Sequence, residues 1–229
     1  MQDLGTIAVT NEKLERVDQY GRPAKWFMDY DPAYLDALVA DLKSIELIFQ
    51  VEFGLQIFLT YGTLLGAIRE GDLIGHDSDI DVSYISQANS AEGILAERAR
   101  IFALFDQAGR VAGHPTHGRF MMLSVPSPLG GYDHGIEVFT SFLRGDRYFG
   151  YTSAPGTLPA NAFSPLRSAK LRGVEFQVPG KAEDVLDVLI APDWRIPRLP
   201  KDFADPARKH ACFDFLYPKV DRSKPNAAS

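Results

Sequence analysis

The chain has 229 residues, 45% of them hydrophobic and 24% charged, enough apolar material for one domain, or one domain with decorations, around a sizeable core. Its net charge of −6 argues against a basic nucleic-acid-binding surface and leaves any small anionic ligand to a local basic cluster or a metal. One cysteine, Cys212, cannot form an internal disulfide, so a reducing cytoplasm suits the chain.

Residues 1–30 show no periodicity, and Met1-Gln2-Asp3-Leu4-Gly5 lacks the basic-then-apolar order of a signal peptide. Residues 32–53 are predicted to form a helix: Asp31 can cap it, Pro32 suits its first turn, and Gly54 is a natural stop. Leu35, Leu38, Leu42, Ile45 and Phe49 recur at spacings of three and four and line one core-facing side. Leu55–Tyr61 reads as a short buried strand, Thr63–Arg69 as a helical turn and Asp79–Ile85 as a second strand. The most apolar stretch, Leu55–Ile68, is interrupted by Gln56, Thr60, Gly62, Thr63 and Gly66, and nothing approaches the roughly 18 apolar residues of a membrane span.

A helix over 90–108 follows, capped by Asn89 or Ser90 and stopped by Gly109, with Ile94, Leu95, Ile101, Phe102, Leu104 and Phe105 on its apolar face. Arg119–Val125 and Ile136–Leu143 are further strands, separated by a turn at 126–131. Residues 152–165, rich in Pro, Gly, Ser and Ala, read as a loop; Leu171–Val178 reads as a short hairpin or strand, and Lys181–Ala191 as a helix capped by Gly180. Prolines then recur at 192, 197, 200, 206, 218 and 225. The expected division is an N-terminal extension 1–30, a catalytic domain 31–191, and a wrapping tail 192–229 with a disordered end. The class is α+β, a mixed sheet flanked by helices.

The chemistry concentrates in Tyr61–Val82. If Asp77, Asp79 and Asp81 lie in a strand they share one face, while Ile80 and Val82 point to the core. Carboxylates set side by side repel, and a fold tolerates that when a hard cation such as Mg²⁺ or Mn²⁺ sits between them. An Asp-rich turn alone is common. The glycines add weight: Gly62 opens a short helix through Thr63, offering backbone N–H groups and a hydroxyl to a phosphate. Glu137 can supply a third carboxylate from a neighbouring strand, because Ile136 and Val138 would face the core. Arg69 could reach a phosphate or pair with Glu70 or Asp72; His76 and Asp77 adjoin the acids as substrate or outer contacts. His114 and His117, with Asp133 and His134, are too scattered and lack the cysteine partners to suggest zinc. Arg167, Lys170 and Arg172 form a basic group that suits either a pyrophosphate or solvent. Cys212, among Phe213, Phe215 and Leu216, reads as a small buried hydrophobe.

Gly62-Thr63 followed by Asp79-Ile80-Asp81 resembles the nucleotidyltransferase superfamily to which DNA polymerase beta belongs. The longer run Tyr61-Gly62-Thr63-Leu64-Leu65-Gly66-Ala67-Ile68-Arg69, then Asp77-Ser78-Asp79-Ile80-Asp81-Val82, resembles the LicD/fukutin family in particular. A looser likeness continues through Ile136–Phe139, Pro165-Leu166, Leu171–Pro179 and Ala182–Leu186. Gly75-His76 stands where that family usually has Pro-Trp, and Ser78 replaces a middle Asp.

The resemblance implies a polymerase-beta-like fold with a divalent metal, Mg²⁺ or Mn²⁺, on Asp79, Asp81 and Glu137, and substrate contacts from Gly62, Thr63, Arg69, His76 and Asp77. It implies a phospho-alcohol, such as phosphocholine or a polyol phosphate, moved from a CDP-activated donor to a glycan or lipid-linked glycan hydroxyl. The alternatives are transfer of NMP from an NTP to a small molecule, protein or nucleic acid, and a non-catalytic binding domain in glycan assembly. The expected place is the cytoplasm, including its membrane face.

Overall fold

The computed structural model describes residues 7–10, 13–16, 26–111, 120–125, 134–151, 154–197 and 211–216, with the backbone alone for 7–10, 13–16, Val125 and His134. The expected turn at 126–131, His114, His117 and Asp133, and the end of the tail lie outside the described residues.

Two short strands, β1 (Ile7–Thr10) and β2 (Lys13–Arg16), pair antiparallel. Helix α1 runs Pro32–Phe53. The Asp31 carboxylate accepts the Ala33 N–H at 2.8 Å, and Gly54, at φ +66°, turns the chain out of the helix. All five stripe residues, Leu35 to Phe49, are buried. Strand β3 (Ile57–Leu59) is shorter than expected because helix α2 (Tyr61–Arg69) begins at once, with Tyr61 at φ +42°. Strand β4 (Ile80–Ile85) starts one residue later than expected, which leaves Asp79 in the preceding turn.

Helix α3 spans Ala91–Gln107, with Ser90 as its cap. Ile94, Ile101 and Phe105 form its buried stripe. Leu95 does not join it and is exposed, because one residue of α-helix turns a side chain about 100°. Strands β5 (Phe120–Val125), β6 (His134–Arg144), β7 (Arg147–Gly150) and β8 (Ala154–Pro159) complete a six-stranded sheet ordered β3-β4-β6-β7-β8, with β5 also on β6. β4 and β6 are parallel and the other pairs antiparallel, so the sheet is mixed. Strand β8 corrects the expected loop at 152–165: it ends the strand order, where its prolines are tolerated, and Gly156 takes φ +80°.

β9 (Arg167–Leu171) and β10 (Val174–Val178) form a hairpin whose two turn residues, Arg172 and Gly173, both have positive φ. Helix α4 (Ala182–Leu189) is shorter than predicted, and Lys181, not Gly180, stands at its cap position. Gly180 has another reason: a Cβ there would lie 2.3 Å from the Pro165 carbonyl oxygen.

The main core joins α1, β3, β4, β6 and α4. A smaller one gathers Ile94, Phe139, Phe142 and Tyr151 around Phe213 and Leu216 of the turn Ala211–Leu216. Cys212 flanks it half-buried, and burial pushes its thiol pKa up, the opposite of an activated nucleophile. Among the described residues, no helix is long and apolar enough to cross a membrane.

Candidate metal centre

The parallel ladder between β4 and β6 sets Asp81 directly opposite Glu137. On either side of each, Ile80, Val82, Ile136 and Val138 are buried in the core, so alternation turns both carboxylates to the other face of the sheet. Asp79 arrives from the turn. Asp79, Asp81 and Glu137 each offer a carboxylate oxygen within 4.8 Å of the others. The expected trio of aspartates on one strand face is therefore corrected: only Asp81 is in a strand, and Asp77 and Asp79 reach the site through a turn closed by Asp77 N–H donating to the Ile74 carbonyl at 2.9 Å.

The first turn of α2 is wrapped around Asp81. Gly62 N–H donates to Asp81 Oδ2 at 3.1 Å, Asp81 N–H donates to Thr63 Oγ1 at 2.8 Å, and Thr60 N–H donates to the Asp81 carbonyl at 3.1 Å. Thr63 Oγ1 thus accepts the Asp81 backbone N–H, and the Gly62 N–H, expected to face a phosphate, meets the Asp81 carboxylate. The physical reason is the same, since backbone N–H groups at a helix start attract an anion. Gly62 is also sterically required: a Cβ would stand 2.3 Å from Asp77 Oδ2 and 3.5 Å from Asp81 Oδ2.

Burial raises the Asp81 pKa well above the usual carboxylate range. The charges of Asp79, Glu137 and Asp77 push it further, and the Gly62 N–H opposes them. Burial, the Asp79 charge and a hydrogen bond with Asp79 likewise raise Asp77, against the Ser78 N–H, which donates to Asp77 Oδ1 at 2.9 Å. Like charges concentrated out of water fit a hard cation, and the donor set is oxygen only, as Mg²⁺ and Mn²⁺ prefer.

The other candidate groups are placed as follows. The edge of the Trp26 ring meets His76 at 6.2 Å between centroids. Arg69 pairs with Glu70 at 2.6 Å and donates to the Trp194 carbonyl at 3.1 Å, which favours the pairing alternative over the phosphate one. The two arginines of the basic group at 167–172 are paired, Arg167 with Glu183 and Arg172 with Asp36 and Asp72, while Lys170 sits across the hairpin from Glu175. Sequence reasoning missed Trp26–Met28, which bond to the acid turn; the segment has no periodicity to betray it.

A family model described as LicD/FKTN/FKRP, nucleotidyltransferase domain, matches residues 54–181, more than half of the chain. The matched span holds Gly62, Thr63, Asp77, Asp79, Asp81 and Glu137. The chain belongs to this family. As a LicD-family protein it is a transferase with the nucleotidyltransferase fold, and its mixed sheet with flanking helices agrees. Two solved structures resemble it in part. One is ANT(2")-Ia in complex with adenylyl-2"-tobramycin, 14% identical, with a TM-score of 0.41 over 62% of this chain and 70% of that one. The other is a STING-associated CdnE c-di-GMP synthase from Capnocytophaga granulosa, 11% identical, with a TM-score of 0.38 over 53% of this chain and 40% of that one. No curated protein sequence matches the chain.

Proposed function

We propose that this LicD-family protein moves a phospho-alcohol from a CDP-activated donor onto a glycan hydroxyl, with a divalent metal held by Asp79, Asp81 and Glu137. The observation that carries the reading is the meeting of those three carboxylates, two set opposite each other by the β4–β6 register and the third supplied by the turn. Such a cluster has little use for the fold itself, because burying like charges costs stability.

A cation held there supplies the positive charge that a diphosphate and its leaving group need as phosphoryl transfer proceeds. Gly62 N–H fixes the Asp81 carboxylate and Thr63 Oγ1 fixes its backbone N–H, so that Asp81 need not reorganise during the reaction. Glu137 completes the ligand set or takes the proton of the attacking hydroxyl. Asp77 closes the turn through its backbone N–H on the Ile74 carbonyl.

The test is product analysis. The protein is incubated with Mg²⁺ and, separately, CDP-choline, CDP-ribitol, CDP-glycerol and CTP. Metal-dependent release of CMP from a CDP-linked donor, lost in Asp81→Asn, supports the proposal. Pyrophosphate release from CTP, with every CDP-linked donor intact, would replace it with nucleotidyl transfer through the same metal pair. Donor binding that ignores metal would point to a non-catalytic domain.

A further inference from the structure

Trp26, Phe27 and Met28 precede α1 and lie outside the residues matched by the family model, yet they are bonded to the acid turn. Phe27 N–H donates to the Asp77 carbonyl at 2.8 Å, and Met28 N–H donates to the Gly75 carbonyl at 2.9 Å. The Trp26 ring meets His76 edge-on. Gly75 lies so close that a Cβ on it would be 3.4 Å from Met28 Cε.

The segment is itself anchored. The Phe27 side chain is buried in the main core. Trp26 N–H donates to Asp29 Oδ2 at 3.0 Å, and Asp29 N–H donates back to the Trp26 carbonyl at 2.8 Å. Two residues later Asp31 caps α1.

We propose that Trp26–Met28 is a strap that holds the Gly75–Asp79 turn in its metal-binding shape, with Trp26 and Phe27 as positioning residues for Asp79. The proposal rests on the metal-centre reading and adds to it. Asp81 and Glu137 are fixed by the ladder between their strands. Asp79 is not in a strand, and its neighbours Asp77 and Asp81 are like-charged, so repulsion favours opening of the turn. The bond closing the turn, from Asp77 to Ile74, is local to it. The strap's two backbone bonds tie the turn to the main core.

Coupling between strap and cation is reciprocal: whatever steadies the turn for the cation is steadied by the cation. Hydrogen exchange on the wild-type protein tests this without a variant. Added Mn²⁺ should slow exchange at the Phe27 and Met28 amides and leave the Ile190 amide, which donates within α4 to Leu186, unchanged. Trp26→Ala should weaken Mn²⁺ affinity, read by calorimetry, by about tenfold, and Trp26→Phe should recover it to within about threefold. Leu189→Ala, a core truncation in α4, should lower the melting temperature and keep wild-type Mn²⁺ affinity. Mn²⁺ binding with no added protection at Phe27 and Met28 overturns the strap and leaves the metal centre standing. Equal affinity loss in Leu189→Ala and Trp26→Ala also overturns it, as general destabilisation. No Mn²⁺ binding by the wild type overturns the metal centre and the strap together.

Discussion

Two clusters of charge draw on the stretch from Asp72 to Asp81, and they are built on opposite rules. At Arg172 opposite charges meet. Its guanidinium donates to Asp36 at 2.8 and 2.9 Å, to both oxygens of Asp72 at 3.1 and 3.2 Å, and to the Pro32 carbonyl, while its backbone N–H donates to the Gly71 carbonyl. Burial pulls the Arg172 pKa down, but the Asp36 bond and the charges of Asp72 and Asp36 more than offset it, and the net shift is upward. At Asp79, Asp81 and Glu137 the charges add, and burial raises the Asp81 pKa instead of opposing a partner's pull. A cluster that closes on its own partners serves the fold. A cluster of like charge whose carboxylate oxygens converge could hold a cation from outside.

The sharpest way to break this contrast is Asp81→Asn. It should lower transfer at least about 100-fold, the scale of one lost electrostatic contact in a preorganised site. The metal-free variant should nevertheless melt no lower than wild type, since a buried like charge has been removed. A rate assay and calorimetry check the two halves, and a fall in stability would mean that Asp81, like Asp36, is held by a partner within the fold. Next in size is Gly62→Ala. Its Cβ would meet Asp77 Oδ2 at 2.3 Å, so the carboxylate must shift, and Mn²⁺ affinity should fall about tenfold. Gly54→Ala is the matched control: nothing lies within 4 Å of its Cβ, but its φ of +66° costs about 1 kcal/mol of stability with no change in Mn²⁺ affinity.

What was legible in the sequence follows the same division. Helix α1 could be read in full, because Asp31, Pro32, the Leu35–Phe49 stripe and Gly54 all state one period and its ends. Glu137 could be found from its apolar neighbours. The partners of Arg172 could not, since Asp36 and Asp72 are 136 and 100 residues away and no local pattern joins them. Strand β8 was hidden by Pro155, Gly156 and Pro159, which read as loop and are tolerated at the end of the strand order. Asp79 was assigned to the right cluster for a wrong geometric reason: alternation was invoked, and a turn does the work. The engagement of Gly62 and Thr63 with Asp81 also escaped, because a helix start that suits phosphate suits a carboxylate equally well.

Arg172→Met sharpens the contrast from the other side. It leaves Asp36 and Asp72 without their shared cation, but both are well exposed, so the cost should be only about 1 kcal/mol, seen as an earlier urea midpoint. Mn²⁺ affinity should be unchanged. If affinity falls with stability, the two clusters are coupled through the Gly71–Asp72 corner.

A further test is the pH dependence of stability. The Asp81 and Asp77 pKa values are raised in the fold above their unfolded values near 4. The folded protein therefore holds these protons more tightly than the unfolded chain. The resulting stability is complete below about pH 4 and is lost as pH rises through the folded values, with a slope of at most about 1.4 kcal/mol per pH unit for each proton involved. Without metal, wild type should lose ground to Asp81→Asn as pH is raised from 5 to 7.5. Mn²⁺ must bind the deprotonated ligands, so the melting-temperature gain it confers on wild type should grow over the same range. An Arg172-type cluster, already built around a permanent cation, would gain nothing from Mn²⁺. A metal-free gap between wild type and Asp81→Asn that stays flat from pH 5 to 7.5 would mean that Asp81 carries no uncompensated charge.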